Sequence, residues 1–300
     1  MADIKNGISD EINIIEKSGS TDITAELGLI ENGGWEFTFG ESRESSVGRV
    51  PNFEAAIEEM AELNVSLSIK APSLKAMKLM GSYSEDSGAG TWTVDLTDFL
   101  PEFDMKLQVT DSKVLRCVDI KWGEATISVG KEEAVVIEFS GMCLDAEVLD
   151  ETISTPEPAS DPAKWIDAEL LIDSTKVAAI DSASITYTRD LEAVTHVGAK
   201  SRMPQKIIEK MKDFTYDMTI EITDTQAWEE TFDGASFPLT APDGEKQEIA
   251  AAMQLLDTQG SFEVQESKIT DNSGEVADDA EIRTVDISGQ GNKGVIEGTL

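Results

Sequence analysis

The chain has 300 residues, and 59 acidic against 24 basic residues give it a formal net charge of −35. Such a surface repels nucleic acid instead of gripping it. One histidine and scattered carboxylates give no zinc spacing and no Ser/His/Asp set, and no phosphate-binding glycine motif is present. No run approaches the roughly 18 apolar residues of a membrane helix, and no secretory signal is visible. We therefore expect a soluble protein without cofactor, metal or membrane partner.

The acidic residues are spread along the whole chain, and only six arginines accompany them. A distributed acid excess in a folded chain suggests a high-salt environment, where salt screens self-repulsion. The alternative is an ordinary acidic protein. On the first interpretation, we expect both the fold and any assembly to depend on salt.

Alternating apolar and polar residues predict strands through most of the first half. The pattern is clear at residues 35–39, 65–69, 92–96, 105–109 and 118–122. Period two with one polar face indicates antiparallel sheets that are buried on one side. The same pattern returns at Ile185 and Tyr187, at residues 216–222, and at Phe262 and Val264.

Helices are predicted to be few and short. Pro72–Met80 begins with a proline suited to a first helical turn and stops at Gly81, and Asp224–Phe232 is its counterpart. Cys117 and Cys143 lie in or beside strand patterns, which favours buried thiols over a disulfide. Asp271–Glu275 has some character of a calcium loop but lacks EF-hand spacing, so we predict a solvated turn there.

A proline-containing segment separates two halves. Residues 150–164 hold three prolines without apolar periodicity, which predicts an extended linker. We therefore predict a first domain over residues 1–149 and a second over residues 165–300.

The second half repeats landmarks of the first in the same order. Pro51 and Pro204 lie 204 − 51 = 153 positions apart, and each follows an arginine by two positions, Arg49 and Arg202. Ile69 matches Ile220. Residues 135–141 (VVIEFSG) resemble residues 283–289 (RTVDISG). One fold built twice lets one chain occupy two positions in a ring, which points toward assembly.

Each half also carries a long connection, Gly40–Glu62 and Arg189–Lys212. Structureless loops of this length are uncommon in compact domains and are usually functional. They concentrate the scarce basic residues: Arg43, Arg49, His196, Lys200 and Arg202. We predict contact loops that include Pro51 and Pro204; the alternative is a surface loop with a chance charge bias, whose arginines pack locally.

The second half resembles phage-type tail tube proteins. The resemblance rests on residues 180–187 (IDSASITY), Asp190–Glu192, Gly198, Arg202–Pro204 and residues 213–216 (DFTY), with residues 285–289 (VDISG) as a closing strand. It covers nearly all of the second half and, through the repeat, the first half more weakly.

The resemblance implies a mainly β chain with short helices, built of two similar antiparallel β-sandwich or half-barrel tube domains in tandem. It implies a structural virion protein, not an enzyme. Six such domains would form a ring around a lumen for DNA, and rings would stack through the long loops, beside other tail proteins. Duplication favours a trimer over a hexamer, and the acid excess favours a virus of a halophilic archaeon or bacterium.

Two other classes remain as alternatives. A halophilic surface or adhesion protein of two β-sandwich domains would need an export signal and calcium-binding acid clusters. A carboxylate-pair glycosidase could hide among the acidic residues, because spacing in sequence cannot exclude it.

Overall fold

The structure is a computed structural model that describes residues 6–9, 11–45, 53–172, 175–176, 180–194, 204–222, 248–255, 260–276 and 283–299. The first half contains β1 (Asn6–Ser9), β2 (Ile12–Glu16), β3 (Thr21–Asp22), α1 (Thr24–Leu27), β4 (Leu29–Ser45), β5 (Phe53–Lys70), a 3₁₀ helix (Leu74–Leu79), β6 (Ser82–Asp86), β7 (Thr91–Asp95), β8 (Phe103–Thr110), β9 (Lys113–Gly130), β10 (Val136–Met142) and β11 (Asp145–Leu149). The second half contains a 3₁₀ helix (Trp165–Asp167), β12 (Ala168–Ile172), β13 (Thr175–Lys176), β14 (Ile180–Val194), β15 (Lys206–Ile222), β16 (Glu248–Leu255), β17 (Gly260–Val276), β18 (Arg283–Gly291) and β19 (Lys293–Thr299).

The predicted fold class is confirmed: the chain is mainly antiparallel β structure with short helices. The alternation that predicted strands also sets burial. In β7, for example, Trp92 and Val94 are buried while Thr93 and Asp95 are exposed. The predicted helix at Pro72–Met80 is a 3₁₀ helix, capped by the Ser73 hydroxyl, which accepts a hydrogen bond from the backbone N–H of Lys75.

Three predictions about local structure have other outcomes. The long loops Gly40–Glu62 and Arg189–Lys212 are mostly strand, because their ends continue the hairpins β4–β5 and β14–β15. Asp271–Glu275 is not a turn but part of β17. The predicted helix Asp224–Phe232 lies outside the described residues.

The strand pairings of residues 12–149 recur among residues 168–299. The hairpins β4–β5 and β8–β9 have the same partners as β14–β15 and β16–β17. β10 joins the two hairpins of the first half, and β18 joins those of the second. β11 and β19 add to the outer ends of β9 and β17, and the short hairpins β2–β3 and β12–β13 add to β8 and β16.

The pairing register also recurs at the landmarks that the sequence repeats. Val65 stands opposite Gly141, and Tyr216 stands opposite Gly289. Four residues further along each hairpin strand, Ile69 and Ile220 hold matching positions. Pro51 lies outside the described residues, so its match to Pro204 stays a prediction.

Irregularities of the ladders fall at matching places as well. Register shifts follow Phe39 in β4 and Arg189 in β14, both opposite the same part of the partner strand. Asp119 and Glu266 are non-glycine residues with φ of 55° and 51°, each beside a shift between paired hairpin strands. A bulge costs ladder bonds and bends the strand, so its recurrence marks a shape that both halves require.

The segment 150–164 contains no helix or strand, and its backbone is bonded to the first half. The backbone N–H of Ile12 donates to Oγ1 of Thr155 at 2.7 Å, and the N–H of Ala159 donates to the carbonyl of Ala25 at 2.8 Å. Ala163 is buried, and its backbone bonds to Ala71 and Val135. The linker is therefore hydrogen-bonded along the first half.

Trp92 joins the two halves at a further contact. It is fully buried, its indole N–H donates to the carbonyl of Thr299 at 3.1 Å, and β7 pairs with β19 beside it. A Cβ atom on Gly298 would lie 2.4 Å from the indole ring, and one on Gly260 would lie 2.6 Å from it. The glycines let the second half press its backbone directly against this ring.

We predict that Trp92→Ala lowers the free energy of unfolding by about 3–5 kcal/mol, the range for truncating a buried aromatic residue. Phe99→Ala is the matched control, because Phe99 is 80% exposed and should change stability by less than about 0.5 kcal/mol. Denaturant unfolding monitored by circular dichroism measures both. An equal effect of the two substitutions would contradict the role given to Trp92.

Candidate functional site

Eight strands form a continuous sheet across both halves, in the order β4, β5, β10, β9, β14, β15, β18, β17. One face of this sheet is the core. It includes the buried side chains of Trp35, Phe37, Leu63, Val65, Leu67, Ile127, Ile137, Phe139, Ile185, Tyr187, Phe214 and Tyr216. The opposite face carries the alternate residues of the same strands and is a candidate working surface.

That opposite face, called the polar face below, is made of hydroxyls and carboxylates. Its members with described side chains include Glu36, Thr38, Ser66, Glu124, Thr126, Ser128, Glu138, Ser140, Ser184, Thr186, Thr188, Thr215, Asp217, Thr219, Asp286 and Ser288. Hydroxyls of Thr126 and Thr186 are hydrogen-bonded at 3.0 Å, and the hydroxyl of Thr219 donates to Asp286 at 2.7 Å.

Positive charge is nearly absent from the polar face. Across residues 32–38, 62–70, 124–130, 136–142, 182–188, 213–219 and 286–290 there is one lysine, Lys70, and no arginine. Lys70 is itself paired with Glu31 at 2.5 Å. A surface of this composition holds water and repels a phosphate backbone.

The two halves meet on this sheet at one ladder, called the seam below. Residues 124–130 of β9 pair antiparallel with residues 182–188 of β14 over seven residue pairs. Ile127 stands opposite Ile185, and both are buried. The seam thus joins the edge of one half to the edge of the other through backbone hydrogen bonds with an apolar pair behind them.

A buried ion cluster fixes the halves next to the seam. Nη1 of Arg189 lies 3.2 Å from Glu209, and Nζ of Lys121, from the first half, lies 2.6 Å from the same carboxylate. Arg189 also donates to the carbonyl of Asp98 at 2.6 Å, and the N–H of Leu100 donates to Glu209 at 3.2 Å. Removing one member of such a cluster leaves a buried charge uncompensated, at a typical cost of 3–5 kcal/mol.

Two further groups hold the same loop of the first half. Nζ of Lys212 donates to the carbonyls of Leu96 and Thr97, at 2.9 Å each, and the hydroxyl of Tyr187 donates to the carbonyl of Leu96 at 3.2 Å. Burial lowers the pKa of Lys212 and raises the pKa of Tyr187 to about 12. The loop is therefore clamped by groups from the second half.

The structure describes only two of the seven predicted contact residues. Pro204 is buried just before β15, and Arg43 lies in β4 with its side chain outside the description. Arg49, Pro51, His196, Lys200 and Arg202 lie outside the described residues. Their role stays a prediction.

Sequence reasoning did not predict these contacts between the second half and the loop of residues 96–100 in the first half. Arg189, Glu209 and Lys212 lie within the segment that was predicted to be a loop, whereas the structure places them in paired strands against the first half. Nothing in the sequence distinguishes these three charged residues from their charged neighbours, and only the fold shows which loop they reach. Cys117 and Cys143 are buried free thiols, as predicted; a hydrogen bond between them and burial raise the pKa of Cys143.

Within the described residues, no group of three or more His, Cys, Asp or Glu side chains is arranged to hold a metal ion. The helices of that same part of the chain are all too short or too polar to cross a membrane.

The family model described as "Phage tail tube protein" matches residues 18–291. The chain therefore belongs to the phage tail tube protein family. No curated protein matches the chain. Among solved structures, a chain of the virion of the native gene transfer agent (GTA) particle is similar at 12% identity, covering 43% of this chain and 94% of that chain with a TM-score of 0.32, too low to carry an argument.

Membership in this family makes the protein a structural component of the virion. The protein associates with itself and with other virion proteins. The family is not an enzyme family. The adhesion protein and the glycosidase that the sequence left open are accordingly set aside.

We predict that Tyr187→Phe changes stability in a pH-dependent way. The raised pKa of Tyr187 means that the folded protein favours the neutral phenol, so this stabilisation is complete below the ordinary value of 10.0 and is lost as pH rises through about 12. Below pH 10 the variant should be about 1 kcal/mol less stable than the wild type. Between pH 10 and pH 12 the difference should shrink, because the variant has no phenol to ionise. Melting temperatures across this range measure it, and a constant difference would contradict the assignment.

Proposed function

We propose that this protein builds the tail tube as stacked closed rings, each made of three chains with pseudo-sixfold symmetry. Each chain supplies two tandem tube domains, residues 1–149 and 165–300. The linker 150–164, which is hydrogen-bonded along the first half, joins them. The recurrence of strand pairings, register and bulges between the halves supports the duplication, because chance does not repeat irregularities at matching positions.

The seam is the observation that carries the ring. Inside one chain, the outer edge of β9 in the first half accepts β14 of the second half. β17 corresponds to β9 in the second half, and β4 corresponds to β14 in the first. Edge strands left unpaired invite pairing with another chain. The same ladder between β17 of one chain and β4 of the next would continue the sheet, and a heterologous contact of this kind closes into a ring when its rotation permits.

The number of chains follows from the resemblance of each half to a tube domain. Six tube domains around the axis need three chains of two halves. With eight sheet strands per chain, the ring would hold 3 × 8 = 24 strands.

The polar face is then the lining of the lumen. Its carboxylates and hydroxyls leave DNA only one cation, Lys70, which is already paired with Glu31, so a duplex could slide past without specific contacts. Closing a ring also gathers carboxylates, and their repulsion is weak only where the screening length is short, about 3 Å at 1 M salt against about 10 Å at 0.1 M. A halophilic host is consistent with this requirement.

The first test is the mass of an isolated ring in 1 M salt, measured by size exclusion with light scattering. Three chains of 32.5 kDa give 3 × 32.5 = 97.5 kDa. A ring of six chains would reject the trimer and leave the tube intact. Electron microscopy of the same sample should show tubes, and monomers alone at every salt concentration would reject the ring itself.

We further propose that the outer ends of hairpins β4–β5 and β14–β15 hold one ring on the next. These hairpins extend past the bulges after Phe39 and Arg189, and the segments at their tips carry Arg49 and Arg202. A guanidinium can bind a carboxylate of the adjacent ring through two hydrogen bonds. The alternative is that each arginine supports only the turn before its proline.

We predict that the double variant Arg49→Ala/Arg202→Ala folds and forms rings but gives tubes at least several-fold shorter. Lys113→Ala/Lys293→Ala is the matched control, since it removes the same charge from exposed strand positions. Tube lengths come from electron micrographs at equal protein and salt concentrations. Full-length tubes from the arginine variant would show that stacking rests on other residues.

A further inference from the structure

The N-terminal strand β1 lies on the edge that a neighbouring chain would use. Asn6–Ser9 pair antiparallel with Gly33–Glu36 of β4. Trp35 stands opposite Val65 in the first hairpin, as Ile185 stands opposite Tyr216 in the second.

β1 therefore covers the positions of β4 that correspond to residues 183–186 of β14. In β14 those positions belong to the seam, where β9 pairs with them in the same antiparallel sense. Within one chain, β1 takes the place on the first half that β9 takes on the second.

The matching edge at the other end of the sheet belongs to β17. Residues 271–276 of β17 pair with β18 on one side, and none of the described strands pairs with their other side. Asp271 stands opposite Ser288 as Glu124 stands opposite Ser140, so residues 271–276 hold the positions of residues 124–129 in the seam.

The residues at these positions suit a second seam, meaning a ladder between β17 of one chain and β4 of the next. By register, Gly274 would stand opposite Trp35, where the internal seam has Ile127 opposite Ile185. A glycine and a tryptophan replace two branched residues, so the missing side chain of one leaves room for the larger ring of the other. The buried indole N–H of Trp35, on the core face behind this edge, has no hydrogen-bond partner among the described residues.

The polar positions of the second seam also correspond. Ser273 would stand opposite Glu36, where the internal seam has the hydrogen-bonded hydroxyls of Thr126 and Thr186. Glu36 is exposed on the polar face, and a serine hydroxyl can donate to its carboxylate.

The length of the possible ladders favours replacement of β1 by β17 on the edge of β4. β1 makes four residue pairs with β4, whereas the internal seam makes seven. β17 offers six described residues for the same edge, so it can replace every pair that β1 makes and add more. A strand held by a ladder of only four residue pairs is also among the easier elements to release.

We propose that β1 is a self-cap. In the free subunit it covers the edge of β4 and blocks pairing with unsuitable strands, and β17 of a second copy displaces it when the ring closes. This rests on the proposed ring and adds an order of events: the cap leaves before or as the seam forms. Protecting an edge until the right partner arrives is a recognised need of β proteins.

The test locks β1 in place. Asn6 and Glu36 are direct cross-strand partners, so Asn6→Cys/Glu36→Cys places two thiols at a separation that small adjustments bring to disulfide geometry. Cys117 and Cys143 are buried, which leaves the introduced pair as the accessible thiols. Asn6→Cys and Glu36→Cys singly are the controls. In 1 M salt, oxidation should lower the fraction of the double variant in rings at least tenfold, and a reductant should restore it.

A second variant keeps the proposal testable if the double variant assembles poorly even when reduced. Deleting residues 2–10 should speed ring formation several-fold while leaving the number of chains per ring unchanged. In single subunits of the same variant, backbone amides of residues 33–36 should lose protection from hydrogen exchange.

The outcomes separate the self-cap from the ring. Rings of normal mass from the oxidised double variant would overturn the self-cap and leave the ring proposal standing, since β1 would then remain on β4 in the assembly. Slower assembly after deletion would also overturn it, by showing that β1 helps the ring form. Absence of rings from the wild type would overturn both proposals together.

Discussion

The backbone groups along a strand edge need hydrogen-bond partners, and the rest of this structure follows from how each edge obtains them. Within a half, hairpins and the joining strand β10 or β18 satisfy most of the ladder. Between halves, β9 and β14 satisfy each other, with Ile127 and Ile185 buried behind the ladder. At the ends of the eight-strand sheet, β4 uses the short strand β1, and residues 271–276 of β17 pair with no described strand other than β18. A sheet with such ends is built to continue.

Charge acts in the opposite direction from these hydrogen bonds. The chain carries −35, and the polar face adds no base beyond Lys70. Growth of the sheet therefore brings like charges together while it satisfies edges, and the balance depends on screening. Three basic residues contribute instead to the contact between the halves. Arg189, Lys121 and Lys212 lie at the junction of the halves, where each meets a carboxylate or backbone carbonyls. These three bases thus help to fix the relative position of the halves.

Several features were readable from sequence because they depend on local periodicity. Alternation at residues 92–96 and 105–109 gave strands, since a strand with one buried face must alternate. The repeated landmarks Ile69/Ile220 and Gly141/Gly289 gave correspondences that the pairing register reproduces. The long connections were misread, because in residues 40–45, 53–62 and 206–212 apolar and polar residues do not alternate strictly. Without that alternation the sequence carries no period-two signal for a strand.

The sequence by itself determined the class of fold, the two-part organisation of its landmarks and the acidic character of the surface. These depend on residue spacing and composition, which need no partner strand to be read. Only the tertiary structure decided which edges meet: that β9 receives β14, that Trp92 fits against Gly260 and Gly298, and that β1 covers β4. Strand pairing is a contact between distant segments, and many pairings satisfy the same alternation. The choice among them rests on the bulges, glycines and buried charges that fit in three dimensions.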